Sequence, residues 1–170
     1  LYRGLKGKLE PQFWMPDGFG IVCATDTAFM STSTDEATAL FYVTKKEDGQ
    51  KERLGLLWEL QAGEEDDTGL HVGANVEMLS QFAHEKEILF PPLTLLRVLP
   101  RKPQPTEDQL PRLPDNNLEE LNKMDDDEKR QKTIEYARLL VQRTMDKMQR
   151  QRLEHNGMPY VRVRVQPVYT

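Results

Sequence analysis

The chain has 170 residues, with 28 acidic against 23 basic side chains for a formal net charge of −5 and 38% hydrophobic residues. That length suits one domain with a real core, the acidic balance argues against a general nucleic-acid binder, and no apolar run approaches the roughly 18 residues that a membrane-spanning helix needs. A single cysteine, Cys23, excludes an internal disulfide framework and a cysteine-rich zinc site, so no metal is expected. With no signal-peptide pattern at the opening, that cysteine usage favours a reducing, cytoplasmic compartment. The start at Leu1 without a methionine suggests a piece of something longer.

In chain order, Leu1-Tyr2-Arg3-Gly4-Leu5 reads as a short strand running into glycines. Arg3 alternates with apolar neighbours, so it is either an edge-strand charge or a buried cation. If buried, its guanidinium needs a carboxylate or phosphate to fork onto. Residues 10–20 are turn-rich around Pro16-Asp17-Gly18, and Phe13, Trp14 and Phe19 are expected to pack beneath that loop. Ala28-Phe29-Met30 is then an apolar half-strand that runs into the hydroxyls Ser31-Thr32-Ser33-Thr34. Thr34-Asp35-Glu36 can cap a helix over 37–42, where Ala37, Leu40 and Phe41 have helical spacing.

Residues 45–53 form a charged turn with Asp48-Gly49 at its apex, and 55–60 a strand whose consecutive Leu56 and Leu57 imply burial on both faces. The acids of 64–67 read as a solvated loop without calcium geometry. Gly73-Ala74-Asn75-Val76 leads into residues 80–92, where Glu85 and Glu87 stand before an apolar run, Ile88-Leu89-Phe90, that Pro91-Pro92 stops. On a strand, residues two apart share a face, which predicts the two carboxylates side by side. Charged residues are 30% of the chain, so such a pair is by itself most often a solvated strand edge. Residues 93–99 make one more apolar strand, and 100–114 are proline-rich.

The remainder reads as helical over 118–122 and 126–155, with Ile134, Ala137, Val141, Met145 and Met148 in one apolar stripe. Acids gather at its start, and Lys147, Arg150 and Arg152 near its end match the helix dipole. Asn156-Gly157 is expected to end this helix, with His155 on its surface, and Pro159 prevents its return. Strict alternation in Tyr160-Val161-Arg162-Val163-Arg164-Val165 predicts a half-buried strand at a sheet edge.

Three of these pieces, in this order, resemble the arginine-specific branch of the mono-ADP-ribosyltransferase family, with its Arg, Ser-Thr-Ser and Glu-x-Glu signature. They are Arg3 in Tyr2-Arg3-Gly4, Ser31-Thr32-Ser33 after Phe29-Met30, and Glu85-Lys86-Glu87 running into Ile88-Leu89-Phe90. Ser80-Gln81-Phe82 and Gly73-Ala74-Asn75 also look like the family, and the similarity covers roughly residues 1–100. Members usually carry a helical region ahead of the arginine strand, which this sequence lacks.

The resemblance implies an α+β fold in which two small packed sheets of antiparallel and mixed strands form an NAD cleft, flanked by helices, with the long helix and a terminal strand at the end. Residues 1–100 would be the catalytic core, 101–116 a connector, and 117–170 a tail packed on that core as a brace or as a partner-binding element. It implies NAD as co-substrate and a protein arginine as acceptor, with nicotinamide released. Arg3, Gly4, Ser31, Thr32, Ser33 and Glu87 would bind NAD. Glu87 would be the catalytic glutamate on the ribose 2′-hydroxyl, supported by Ser31. Glu85 would engage the acceptor guanidinium, and Phe82 would belong to the acceptor-recognition loop or anchor it to the core. The rival readings are an NAD glycohydrolase and a non-catalytic interaction domain that retains the fold.

Overall fold

The structure, a computed structural model, describes residues 1–45, 54–62, 73–114 and 121–168. The expected charged turn after Lys45, the acidic loop at 64–67 and most of the short helix at 118–122 fall outside these residues. Nine strands and two helices follow in the order β1 (Tyr2–Lys6), β2 (Cys23–Asp26), β3 (Met30–Ser33), α1 (Glu36–Thr44), β4 (Gly55–Leu60), β5 (Ala74–Asn75), β6 (Glu87–Phe90), β7 (Thr94–Leu99), α2 (Asp126–Met148), β8 (Leu153–His155) and β9 (Met158–Val168), counted among the described residues. The fold is α+β with a mixed sheet, as the sequence implied.

The sheet runs β2-β7-β9-β4-β1-β3-β6-β5, with β8 paired to β9. It is continuous but has one weak seam. β1 pairs with β4 over five register positions and β3 with β6 over four, whereas β1 and β3 meet only at Tyr2 and Ser33. The two expected sheets are therefore two blocks of strands joined at one residue pair.

A shared core bridges the seam. Leu56, Trp58 and Leu60 of β4, Leu96 and Val98 of β7, and Val163 and Val165 of β9 pack with Met30 of β3, Phe90 of β6 and Trp14. On the opposite face, Ala39, Leu40 and Val43 of α1 cover Leu57 and Tyr160. Leu56 and Leu57 are thus both buried, each in a different cluster, as their adjacency in sequence required.

Several expectations change. Within the expected Thr34-Asp35-Glu36 cap it is Asp35 that caps α1, accepting from the N–H of Ala37. The buried stripe of α1 is Ala39, Leu40 and Val43, while Phe41 is 55% exposed. Trp14 is buried, but Phe19 is 91% exposed, because the Asp17 carboxylate accepts from the N–H groups of both Phe19 and Ile21 and turns the intervening loop outward.

The long helix ends at Met148, so Lys147 lies in its last turn while Arg150, Arg152 and His155 lie beyond it. Val141 and Met145 pack on the core and Met148 is buried, but Ile134 is exposed, so the stripe docks only at the C-terminal half. Asn156 and Gly157, both with positive φ (51° and 74°), form the two-residue turn of the β8–β9 hairpin rather than a helix stop. Nor is β9 an edge strand: it lies between β4, to which it runs parallel, and β7, to which it runs antiparallel.

That central position explains the arginines of β9. Val163 and Val165 enter the core, and the alternate residues Arg162 and Arg164 are covered as well. Arg162 pairs with Glu36 of α1 and, at 3.5 Å, with Glu59 of β4. Arg164 donates to Gln61 Oε1 at 2.7 Å and to the carbonyl of Pro100 at 3.2 Å. Burial works against the Arg162 charge, but Glu36, Tyr160 and Glu59 more than offset it and hold its pKa above the usual guanidinium value.

Candidate active site

The site lies where the seam opens. Were the antiparallel register of Tyr2 and Ser33 to continue, Arg3 would face Thr32 and Gly4 would face Ser31; instead β1 and β3 part after that pair. A pocket of about 270 Å³ occupies the opening, lined by Tyr2, Arg3, Gly4 and Leu5 of β1, Ser31–Ser33 of β3, Thr38, Ala39 and Tyr42 of α1, and Glu85 and Glu87. Arg3, Gly4, Ser31, Thr32, Ser33, Glu85 and Glu87, singled out from three distant stretches of sequence, therefore share one wall-to-wall site. Phe82 stands outside it, 57% exposed.

The three hydroxyls of β3 do different work. Thr32 is buried and donates to the carbonyl of Ile88 at 2.8 Å, tying β3 to β6. Ser33 donates to the carbonyl of Glu85 at 2.6 Å and accepts from the N–H of Asp35 at 2.9 Å, joining the carboxylate loop to the start of α1. Ser31 is exposed at the pocket wall.

Glu85 and Glu87 do not share a strand. Glu85 ends a tight turn at Ala83–Glu85, Lys86 is left-handed at φ 48°, and only Glu87 belongs to β6, opposite Ser33. The left-handed residue breaks the extended run, so the period-two expectation fails, yet both carboxylates line the same pocket. Upstream, Met78 is 99% and Leu79 is 88% exposed, which places three large apolar side chains, with Phe82, on the loop approaching Glu85.

Arg3 sits at the junction of two cavities. Its Nη1 is 3.0 Å from Asp26 Oδ2 of β2, but that buried nitrogen makes no hydrogen bond, so the contact is a charge pair with an unspent N–H. Behind it lies a second pocket of about 180 Å³, lined by Arg3, Leu5, Thr25, Asp26 and Trp58 among others. Asp26 supplies the carboxylate that a buried guanidinium required.

Sequence reasoning missed Tyr42. Its hydroxyl donates to Glu85 Oε1. That hydrogen bond first, then burial and the charges of Glu85 and Glu87, push the phenol pKa above its ordinary value of 10.0. The signal available in sequence was its place on α1: Tyr42 lies one turn beyond Thr38, which lines the same pocket.

No protein-family model and no curated protein sequence matches the chain. Among solved structures it is similar to ADP-ribosyltransferase Vis in complex with its M6 inhibitor, at 16% identity and a TM-score of 0.45, covering 96% of this chain and 46% of that one. It is also similar to Vis toxin, an ADP-ribosyltransferase from Vibrio splendidus, at 16% identity, a TM-score of 0.43 and the same coverage of 96% and 46%. A third similar structure is Vis in complex with agmatine, at 16% identity, a TM-score of 0.44 and coverage of 96% and 47%. The chain spans about half the length of these structures. Among the described residues no helix is long and apolar enough to cross a membrane.

Proposed function

We propose that this chain transfers ADP-ribose from NAD to the guanidino group of a protein arginine and releases nicotinamide. The observation that carries the reading is the convergence of Arg3, Ser31, Glu85 and Glu87 on one pocket at the seam between β1 and β3. Their chemistry suits the reaction. The bond from the nicotinamide nitrogen to ribose C1′ breaks with its electron pair leaving on nicotinamide, and C1′ becomes an oxocarbenium-like centre. Glu87, fixed at the start of β6, offers negative charge to that centre and an acceptor for the ribose 2′-hydroxyl. The Arg3 side chain, 24% exposed at the pocket wall, offers its guanidinium to the diphosphate, and Ser31 presents its hydroxyl beside the ribose.

Glu85 serves the acceptor. A guanidinium, with a pKa above about 12, is not deprotonated beforehand by a carboxylate. Glu85 orients it by ion pairing and takes its proton as the new nitrogen–C1′ bond forms, so the products are ADP-ribosyl-arginine, nicotinamide and one proton. Phe82, with Met78 and Leu79, gives the approach to Glu85 an apolar surface suited to a folded protein rather than a free amino acid.

The test is nicotinamide release and transfer of labelled ADP-ribose to a small guanidino acceptor, for the intact chain, Glu87→Gln and Glu85→Gln. Transfer lost in both variants, with NAD hydrolysis persisting only in Glu85→Gln, supports the roles given. Turnover in the intact chain that a guanidino acceptor neither speeds nor diverts into transfer product makes it an NAD glycohydrolase, and no turnover by a folded chain overturns the enzymatic reading.

A further inference from the structure

Glu85 is held by two rigid elements at once. Its backbone carbonyl accepts from Ser33 of β3 at 2.6 Å, and its side-chain Oε1 accepts from the Tyr42 hydroxyl of α1. A carboxylate closing a short turn, followed by a left-handed residue, has no neighbouring strand to fix its rotamer. The phenol does so from outside the loop. α1 itself cannot slide, because it is pressed against β1 at Gly4, where the Ala39 carbonyl fills the space of a missing Cβ.

Resting on the transferase reading, we propose that Tyr42 is the positioning residue of Glu85, and that by occupying Oε1 it leaves Oε2 as the oxygen that meets the acceptor guanidinium. The acceptor then engages Glu85 from one side, with the second oxygen already committed. Because the phenol stays protonated through the working pH range, it always donates to the carboxylate and never competes with it as a base. Tyr42 is 42% exposed, so its ring contributes little packing for a purely structural role. The hydroxyl is what the geometry uses.

Tyr42→Phe keeps the ring and removes the donor. Transfer to a guanidino acceptor is expected to fall about ten- to a hundredfold in kcat/KM for the acceptor, the effect of losing one hydrogen bond to a charged group. NAD hydrolysis without acceptor falls much less. In a Glu85→Gln background the same substitution costs little more, because the group it positions is already gone. Equal loss of transfer and hydrolysis, or fully additive losses in the double variant, would overturn the proposal.

A second measurement does not depend on turnover. The alkaline ultraviolet titration of Tyr42, read as the difference between the intact chain and Tyr42→Phe, moves to lower pH in Glu85→Gln if the contact exists. An unmoved titration overturns the contact. If the titration moves but the chain turns over no NAD, the transferase reading fails, and the role in transfer fails with it.

Discussion

The carbonyl oxygen of Ala39 stands 2.2 Å from the position a Cβ would take on Gly4, and Val43 Cγ2 stands 2.8 Å from it. No real side-chain carbon approaches a backbone oxygen so closely, so Gly4 is the condition for laying α1 flat on β1. The same helix carries Thr38 and Tyr42 to the pocket wall. Gly4→Ala forces α1 outward and is expected to cost about 1–3 kcal/mol or more of stability by overpacking. Urea denaturation should show a lower midpoint at unchanged slope, with acceptor transfer falling alongside. Gly18→Ala, where a Cβ would meet nothing within 4 Å, is the matched control and should be near neutral.

Arg162 is the centre of a charge network that crosses the sheet from α1 to β4. Replacing it with Met leaves Glu36 and Glu59 facing a half-buried apolar side chain. Removing one partner of a fully buried pair costs about 3–5 kcal/mol. Both glutamates are about a third exposed, which lowers the expected loss to about 2–3 kcal/mol. The check is the unfolding free energy of Arg162→Met against the intact chain, and a loss below about 0.5 kcal/mol would show the network to be a surface feature.

Arg3→Lys should not rescue function. Lysine retains the charge but loses the fork that can hold a carboxylate and a phosphate at once. If Arg3 binds the NAD diphosphate, the KM for NAD rises about ten- to a hundredfold in Arg3→Lys, while the urea midpoint moves little because Asp26 is itself partly exposed. An unchanged KM would remove Arg3 from the substrate site.

Tyr42 gives a pH dependence with a definite sign. Its folded-state pKa is raised, so the stabilisation it contributes is fully present below about pH 10, the unfolded phenol value, and is lost as pH rises through the higher folded value. The stability gap between the intact chain and Tyr42→Phe should be flat from about pH 7 to 9 and close above about pH 10. A gap that widens with alkali would mean that the phenol does not donate to Glu85.

The residues of the candidate site were more legible in the sequence than the topology was. Arg3, Ser31 and the two glutamates were singled out because their motifs, in that order, resemble a known family, whereas each alone reads as a strand edge or a helix lead-in, and the structure brings them to one pocket. The alternation of β9 was read correctly as a strand, but not its place, since Arg162 and Arg164 look like a solvated face until Glu36, Glu59 and Gln61 are known to lie across from them. Asn156-Gly157 carries both a helix-stop and a hairpin signal. The choice was decided by strand partners that local sequence does not contain. Tyr42 was missed for a similar reason, because its meaning comes from Glu85, 43 positions later.

β9 is the last strand of the sheet in sequence and a middle strand in space. Until it emerges from the ribosome, β4 and β7 have no partner between them, and Leu56, Leu60, Leu96 and Val98 lack the side chains that cover them. The nascent chain therefore carries two sticky, unpaired strand edges until β9 is made, and its core closes only then. A chain stopped before Met158 is expected to be captured by chaperones or to aggregate rather than to survive as a shortened folded protein, even though every residue of the pocket has already been made.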